Sequence, residues 1–117
     1  MKLVIYAIYS GDGKNLFSWK PEDDLVFIES ILMDIGEKNK KGADLFSIRI
    51  ATPEGLKLLK AEDGILAARP LIIVEKYDFN ELWTYLNKIV LSCEADSWSD
   101  CVEKLRYHFN WEYDGYR

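Results

Sequence analysis

The stretch LVFIESILMDIGE, residues 25–37, decides the fold class. Phe27, Glu29, Ile31, Met33 and Ile35 fall at alternate positions, with Ile28, Ser30, Leu32 and Asp34 between them. That is the two-residue period of a strand, not the three-and-four spacing of a helix face. The lysine-rich GEKNKKGAD then separates it from residues 45–52, where Phe46, Ile48 and Ile50 alternate with Ser47 and Arg49. Two alternating runs joined by a polar turn predict a β-hairpin.

Working outward, residues 2–9 are β-branched and aromatic and end at Ser10-Gly11-Asp12-Gly13, so a strand and a turn precede the hairpin. A loop reaching about Asp24 follows, carrying Phe17, Trp19 and Pro21. A loop of this length holding two aromatics is either pinned to the core by them or used for contact. Beyond the hairpin, Thr52 can cap a helix whose first position suits Pro53 and whose first turn suits Glu54, which predicts a short helix to about Lys60. After a break at Gly64, RPLIIVEK (69–76) reads as a further strand. Asp78 with Glu81 forms a capping box, and Phe79, Leu82, Leu86, Ile89 and Cys93 recur at helical spacing. Ser97 and Asp100 repeat the signal before Trp98, Cys101, Leu105 and Phe109, with Val102 beside them, placing a last helix over 98–109. The order β-β-β-α-β-α-α predicts one α+β domain over residues 1–117: a mainly antiparallel sheet of about four strands, with two to three helices packed on one face.

Hydrophobic residues make up 49% and charged residues 30% of the 117, enough for one core and a wet exterior. Fifteen basic against twenty acidic side chains give a net charge of −5, the wrong sign for neutralising phosphates, so nucleic acid is excluded as the expected partner. The same acidity either serves solubility or steers a basic protein surface towards the chain. MKLVIYAIYSGDG reads as a strand rather than a signal peptide, and no apolar run reaches membrane-spanning length, so a cytoplasmic location is expected. Cys93 and Cys101 both fall on apolar helix positions, as reduced core thiols would.

Nucleophilic catalysis needs a base beside a nucleophile, and the single histidine, His108, lies two helical turns from Cys101. Two cysteines and one histidine match no zinc spacing, Glu22-Asp23-Asp24 lacks the alternation of a calcium loop, and Gly11-Asp12-Gly13-Lys14 is too short for a phosphate loop. No cofactor or metal is expected. A carboxylate pair drawn from Glu29, Asp34 and Glu112 leaves a small hydrolase or transferase as the alternative to a binding protein. A third reading is a regulatory subunit dimerising through the hairpin edge.

The closing FNWEYDGY (109–116) interleaves aromatic rings with Glu112 and Asp114. Rings with polar tips gather at protein interfaces, and they equally cap a sheet by folding back. The candidate partner-binding residues are therefore Asp12, Trp19, Glu22, Asp23 and Asp24 from the long loop, and Glu112, Tyr113, Asp114 and Tyr116 from the tail.

LFSIRIATPEGL (45–56), the helix start Ser97-Trp98 and the terminal FNWEYDGY together resemble the immunity protein 8 family of bacterial polymorphic toxin systems, in the same order and through most of the chain. The positions that carry the resemblance are Thr52, Pro53, Leu56, Trp98, Trp111, Glu112, Tyr113 and Tyr116. It implies a non-enzymatic cytoplasmic antitoxin, a monomer or one-to-one complex, that binds and neutralises a cognate toxin domain such as the end of a contact-dependent inhibition protein. Positions shared across different toxin partners are expected to be structural, so the resemblance does not pick out the contact surface.

Overall fold

A computed structural model describes residues 1–58 and 70–114. The elements are β1 (Leu3–Ser10), β2 (Ile28–Glu37), β3 (Asp44–Ala51), α1 (Pro53–Leu56), β4 (Leu71–Ile73), α2 (Phe79–Ser92), α3 (Trp98–His108) and β5 (Asn110–Trp111). The order β1-β2-β3-β4 runs across a mixed sheet that is antiparallel at β1/β2/β3, as expected of an α+β domain. β4 joins it parallel to β3.

Alternation in β2 and β3 sorts their side chains as the sequence implies. Ile31, Met33, Ile35, Phe46, Ile48 and Ile50 are buried on one face, where they meet Leu82, Leu86, Val90 and Cys93 of α2 and its cap, and Cys101, Val102, Leu105 and Phe109 of α3 and its cap, in one cluster. Both cysteines are free and buried there. In β1 the register slips between Ile5 and Ala7. That bulge lets Leu3 and Ile5, then Ile8 and Ser10, all turn inward despite the break in parity.

The structure departs from the sequence reading at several element ends. Of residues 25–27, expected to open β2, Leu25 and Val26 instead finish a turn, because Asp23 accepts the Leu25 amide on Oδ1 (2.9 Å) and the Val26 amide on its carbonyl (3.1 Å), and Phe27 lies just ahead of the strand. α1 closes at Leu56, and Lys60, Gly64 and Arg69 lie outside the described residues. The expected eight-residue strand 69–76 pairs only at Leu71–Ile73.

An additional strand, β5, pairs antiparallel with β3 through Phe46–Trp111 and Ser47–Asn110. The Glu112 amide continues this docking to the Leu45 carbonyl at 2.9 Å, and the Trp111 indole donates to Asp44 Oδ2 at 2.9 Å. The tail therefore folds back, with the Trp111 ring partly buried against the core.

One side chain ties the end of β3 to the start of β2. Thr52 Oγ1 accepts the amides of Phe27 (2.9 Å) and Gly55 (3.0 Å) and donates to the Phe27 carbonyl (3.2 Å), which uses a hydroxyl's full capacity. The Thr52 side chain is completely buried. Gly55 approaches the same peptide so closely that an added Cβ would sit 2.0 Å from the Phe27 oxygen.

Three stability outcomes follow from this frame, each read by denaturant unfolding. Thr52→Val strands two buried amides and removes the cap of α1, so it costs about 3 kcal/mol, whereas Thr52→Ser stays within about 1.5 kcal/mol; equal stabilities for the two variants would contradict the hub. Gly55→Ala, which raises helix propensity by about 1 kcal/mol in an open helix, destabilises here because of the Phe27 contact. Trp111→Phe loses about 1 kcal/mol with its hydrogen bond to Asp44, while Glu112→Gln leaves the melting temperature unchanged.

Candidate interaction surface

The expected contact residues separate into two places. The tail group docks beside Leu45 and Phe46; of the loop group, Asp12 sits in the turn after β1, while Trp19 and Asp24 lie by Phe27 and Tyr77, and Phe27 hydrogen-bonds Thr52 at the other end of β3. Seven residues of strand between Leu45 and Thr52 amount to roughly 23 Å.

The loop 11–27 is built inward from its two ends. Ser10 Oγ hydrogen-bonds Asp12 Oδ1 and accepts the Lys14 amide at 3.0 Å, closing a turn whose Gly13 has φ +88°. That hydroxyl holds the Asp12 carboxyl below its ordinary pKa, with Lys14 assisting. Leu16 is buried and donates its amide to the Ile8 carbonyl. Phe17 turns outward, 57% exposed, and meets Phe79 and Trp83 of α2 edge-on at 5.2 and 4.9 Å. Trp19 is half-buried over Phe27 and Tyr77, both at 6.1 Å, and Lys14 lies 5.5 Å from its ring centre. The Tyr77 amide donates to the Asp24 carbonyl at 2.7 Å, which pulls the end of the loop against the approach to α2. Glu22, Asp23 and Asp24 are all exposed.

Between this loop and the N-terminus of α2 runs an open groove of about 400 Å³, lined by residues that include Trp19, Lys20, Asp24, Tyr77, Asp78 and Phe79. Asp78 caps α2 by accepting the Glu81 amide at 3.1 Å. Sequence reasoning found Trp19 and the loop acids but not Tyr77, Asp78, Phe17, Phe79 or Trp83 as their neighbours. The only signal was the pair of loop aromatics, which demanded partners somewhere.

In the tail, Asp114 pairs with Arg106 Nη2 at 2.6 Å, and Arg106 also bonds Glu103 at 2.9 Å and stands 5.5 Å from the Trp111 ring centre. Asp114 is thus engaged within the chain, whereas Glu112 and Tyr113 are exposed, the latter with its ring edge-on to Trp111 at 5.1 Å. Tyr116 lies outside the described residues.

Of the carboxylates considered for acid–base work, Glu29 is parted from Asp34 by the sheet, while Asp34 and Glu112 both act on the Tyr9 phenol. Glu29 and Asp34 are five residues apart on β2 and so point to opposite faces. Burial pushes the Glu29 carboxyl up, with Asp12 reinforcing the shift. Burial raises the Tyr9 phenol, and the carboxylates of Asp34 and then Glu112 add to the shift. Among the described residues no three His, Cys, Asp or Glu side chains gather as metal ligands, and no helix is long and apolar enough to cross a membrane.

Comparison with curated proteins and with solved structures returns no match. A family model, described as Immunity protein 8, matches residues 3–116. The hairpin, the Thr52-Pro53 corner, the two closing helices and the docked tail all lie within that match, and the chain belongs to the Immunity protein 8 family.

Proposed function

We propose that this immunity protein neutralises the toxin domain encoded beside it, in the cytoplasm of the producing cell, by forming a one-to-one complex that covers the toxin's active site or an adjacent surface. The toxin system is of the polymorphic, contact-dependent inhibition kind, and the toxin domain is basic. The observation that carries this reading is the surface of the 11–27 loop, where Phe17 stands 57% exposed, Trp19 and Asp24 line the same groove, and Glu22 and Asp23 are exposed on the same loop. A large ring left in water forgoes the stabilisation of burial, which a partner can supply, and rings rimmed by acids have the anatomy of an interface centre.

The net charge of −5 supports the choice of a basic partner. Opposite net charges steer encounter and raise association rates, and the effect is screened by salt. Blocking by bulk and charge requires no catalytic group on the inhibitor.

The adjacent toxin domain, expressed alone in a sensitive strain, should stop growth, and co-expression of this chain should restore it. The purified pair should co-elute at one-to-one stoichiometry, with an association rate that falls about tenfold or more from low to moderate salt. A purified chain that neither binds that domain nor protects cells from it would sink the proposal; a salt-independent rate would remove only its electrostatic part.

A further inference from the structure

Resting on that reading, we infer that the groove between the 11–27 loop and the N-terminus of α2 is the anchor pocket of the complex, and that it seats an arginine side chain of the toxin. Asp24 and Asp78 face the guanidinium, the Trp19 and Phe79 rings flank it, and the Tyr77 hydroxyl accepts one of its hydrogen bonds.

Three independent observations converge on this groove. The first is chemical. Asp24 and Asp78 both line it, with Trp19, Tyr77 and Phe79 as its aromatic surfaces. Paired carboxylates beside flat rings suit a planar, delocalised cation with several donors better than a compact, strongly hydrated ammonium. Lys20 is the only basic side chain lining the groove, and it is exposed. Trp19 already attracts a cation within the chain, since the Lys14 ammonium lies 5.5 Å from its ring centre.

The second observation is the Tyr77 hydroxyl. Tyr77 is 5% exposed, and its hydroxyl is a buried side-chain oxygen with no hydrogen-bond partner among the described residues. A buried unpaired hydroxyl is destabilising. Burial raises the phenol's pKa, and Asp24 and Asp78 add to the shift in that order, so the hydroxyl sits within the field of both carboxylates. Tyr77 lines the groove, so a donor entering there would reach the hydroxyl once the covering side chains shift, and would satisfy it.

The third is the rim. Phe17 packs edge-on against Phe79 and Trp83 yet keeps more than half of its surface in water. Exposed Leu25 and Val26 continue the apolar margin along the same loop. A desolvated charged anchor surrounded by apolar contacts that exclude water is how a few side chains come to dominate an interface.

The test uses the full chain and the neighbouring toxin domain, with affinity and dissociation rate measured by surface-immobilised binding. Asp78→Asn keeps a competent helix cap while removing the charge, and Asp24→Asn leaves the backbone bond to Tyr77 in place, so the double variant should fold with an unchanged melting temperature. It is expected to bind at least tenfold more weakly, mainly through faster dissociation, and with a shallower salt dependence. A smaller loss overturns the inference. Tyr77→Phe should melt no lower than the wild type, since it deletes an unpaired group, yet bind at least threefold more weakly; unchanged binding takes the hydroxyl out of the site. Asp96→Asn, an exposed acid in the connection between α2 and α3, should bind like the wild type; an equal loss there makes the effect one of net charge and overturns the groove. If the wild-type chain itself fails to bind, it is the immunity reading that fails, before the groove variants are compared.

Discussion

The Thr52 hydroxyl is the constraint on which the rest of the molecule depends. It joins three pieces of backbone at a completely buried point: the end of β3, the first turn of α1 and the peptide of Phe27 just ahead of β2. Fixing Phe27 fixes its ring, which lies 4.7 Å from Tyr77 and 6.1 Å from Trp19, so the same hydroxyl positions the floor of the groove. Gly55 is required for a related reason. Only a residue without a Cβ lets α1 come close enough to Phe27 for the third hydrogen bond to form.

β3 is the strand through which the remaining parts communicate. Its inner edge is filled by β2, and its outer edge is shared, with β5 beside Phe46 and Ser47 and β4 beside Arg49 to Ala51. An outer edge left bare would present unpaired amides and carbonyls to any passing strand. Two short segments of opposite direction cover it instead, and each carries one candidate surface: β5 leads into Glu112 and Tyr113, while β4 leads through Val74 towards Tyr77 and Asp78. Val74 donates its amide to the Ala51 carbonyl at 2.9 Å, so the approach to the groove is registered directly against the end of β3.

Much of the frame was legible because it depends on periodicity and on local capping. The alternation of Ile31, Met33 and Ile35 named the buried face of β2, and Asp78 and Ser97 named the starts of both long helices. What was not legible depends on distant partners. β5 is two residues long and contains no strand signal; it exists because Trp111 finds Asp44 and Glu112 finds Leu45. The bulge at Tyr6 breaks a parity that local reading takes as continuous. Of the candidate site, the sequence offers Trp19 and the loop acids, since a long acidic loop with aromatics asks for an explanation. Tyr77 and Asp78 could not be read, because one falls between the expected strand 69–76 and the next helix with no signal of its own and the other looked like nothing more than a cap.

The residues that carry the family resemblance and those that line the groove are different sets, and their physical roles explain the division. Thr52 is a saturated hydrogen-bonding hub, while Trp98 and Trp111 pack against the core. None of these can change without disturbing the frame. Trp19, Asp24 and Asp78 line a surface groove whose backbone is held by other groups: the Asp24 carbonyl serves Tyr77 whatever its side chain, and asparagine would cap α2 as well as aspartate. A scaffold that fixes the backbone through one set of side chains and presents charge through another can retune its partner without refolding. An inhibitor that must match one particular toxin needs that separation, because specificity is a difference between affinities and is adjusted at the contact surface alone.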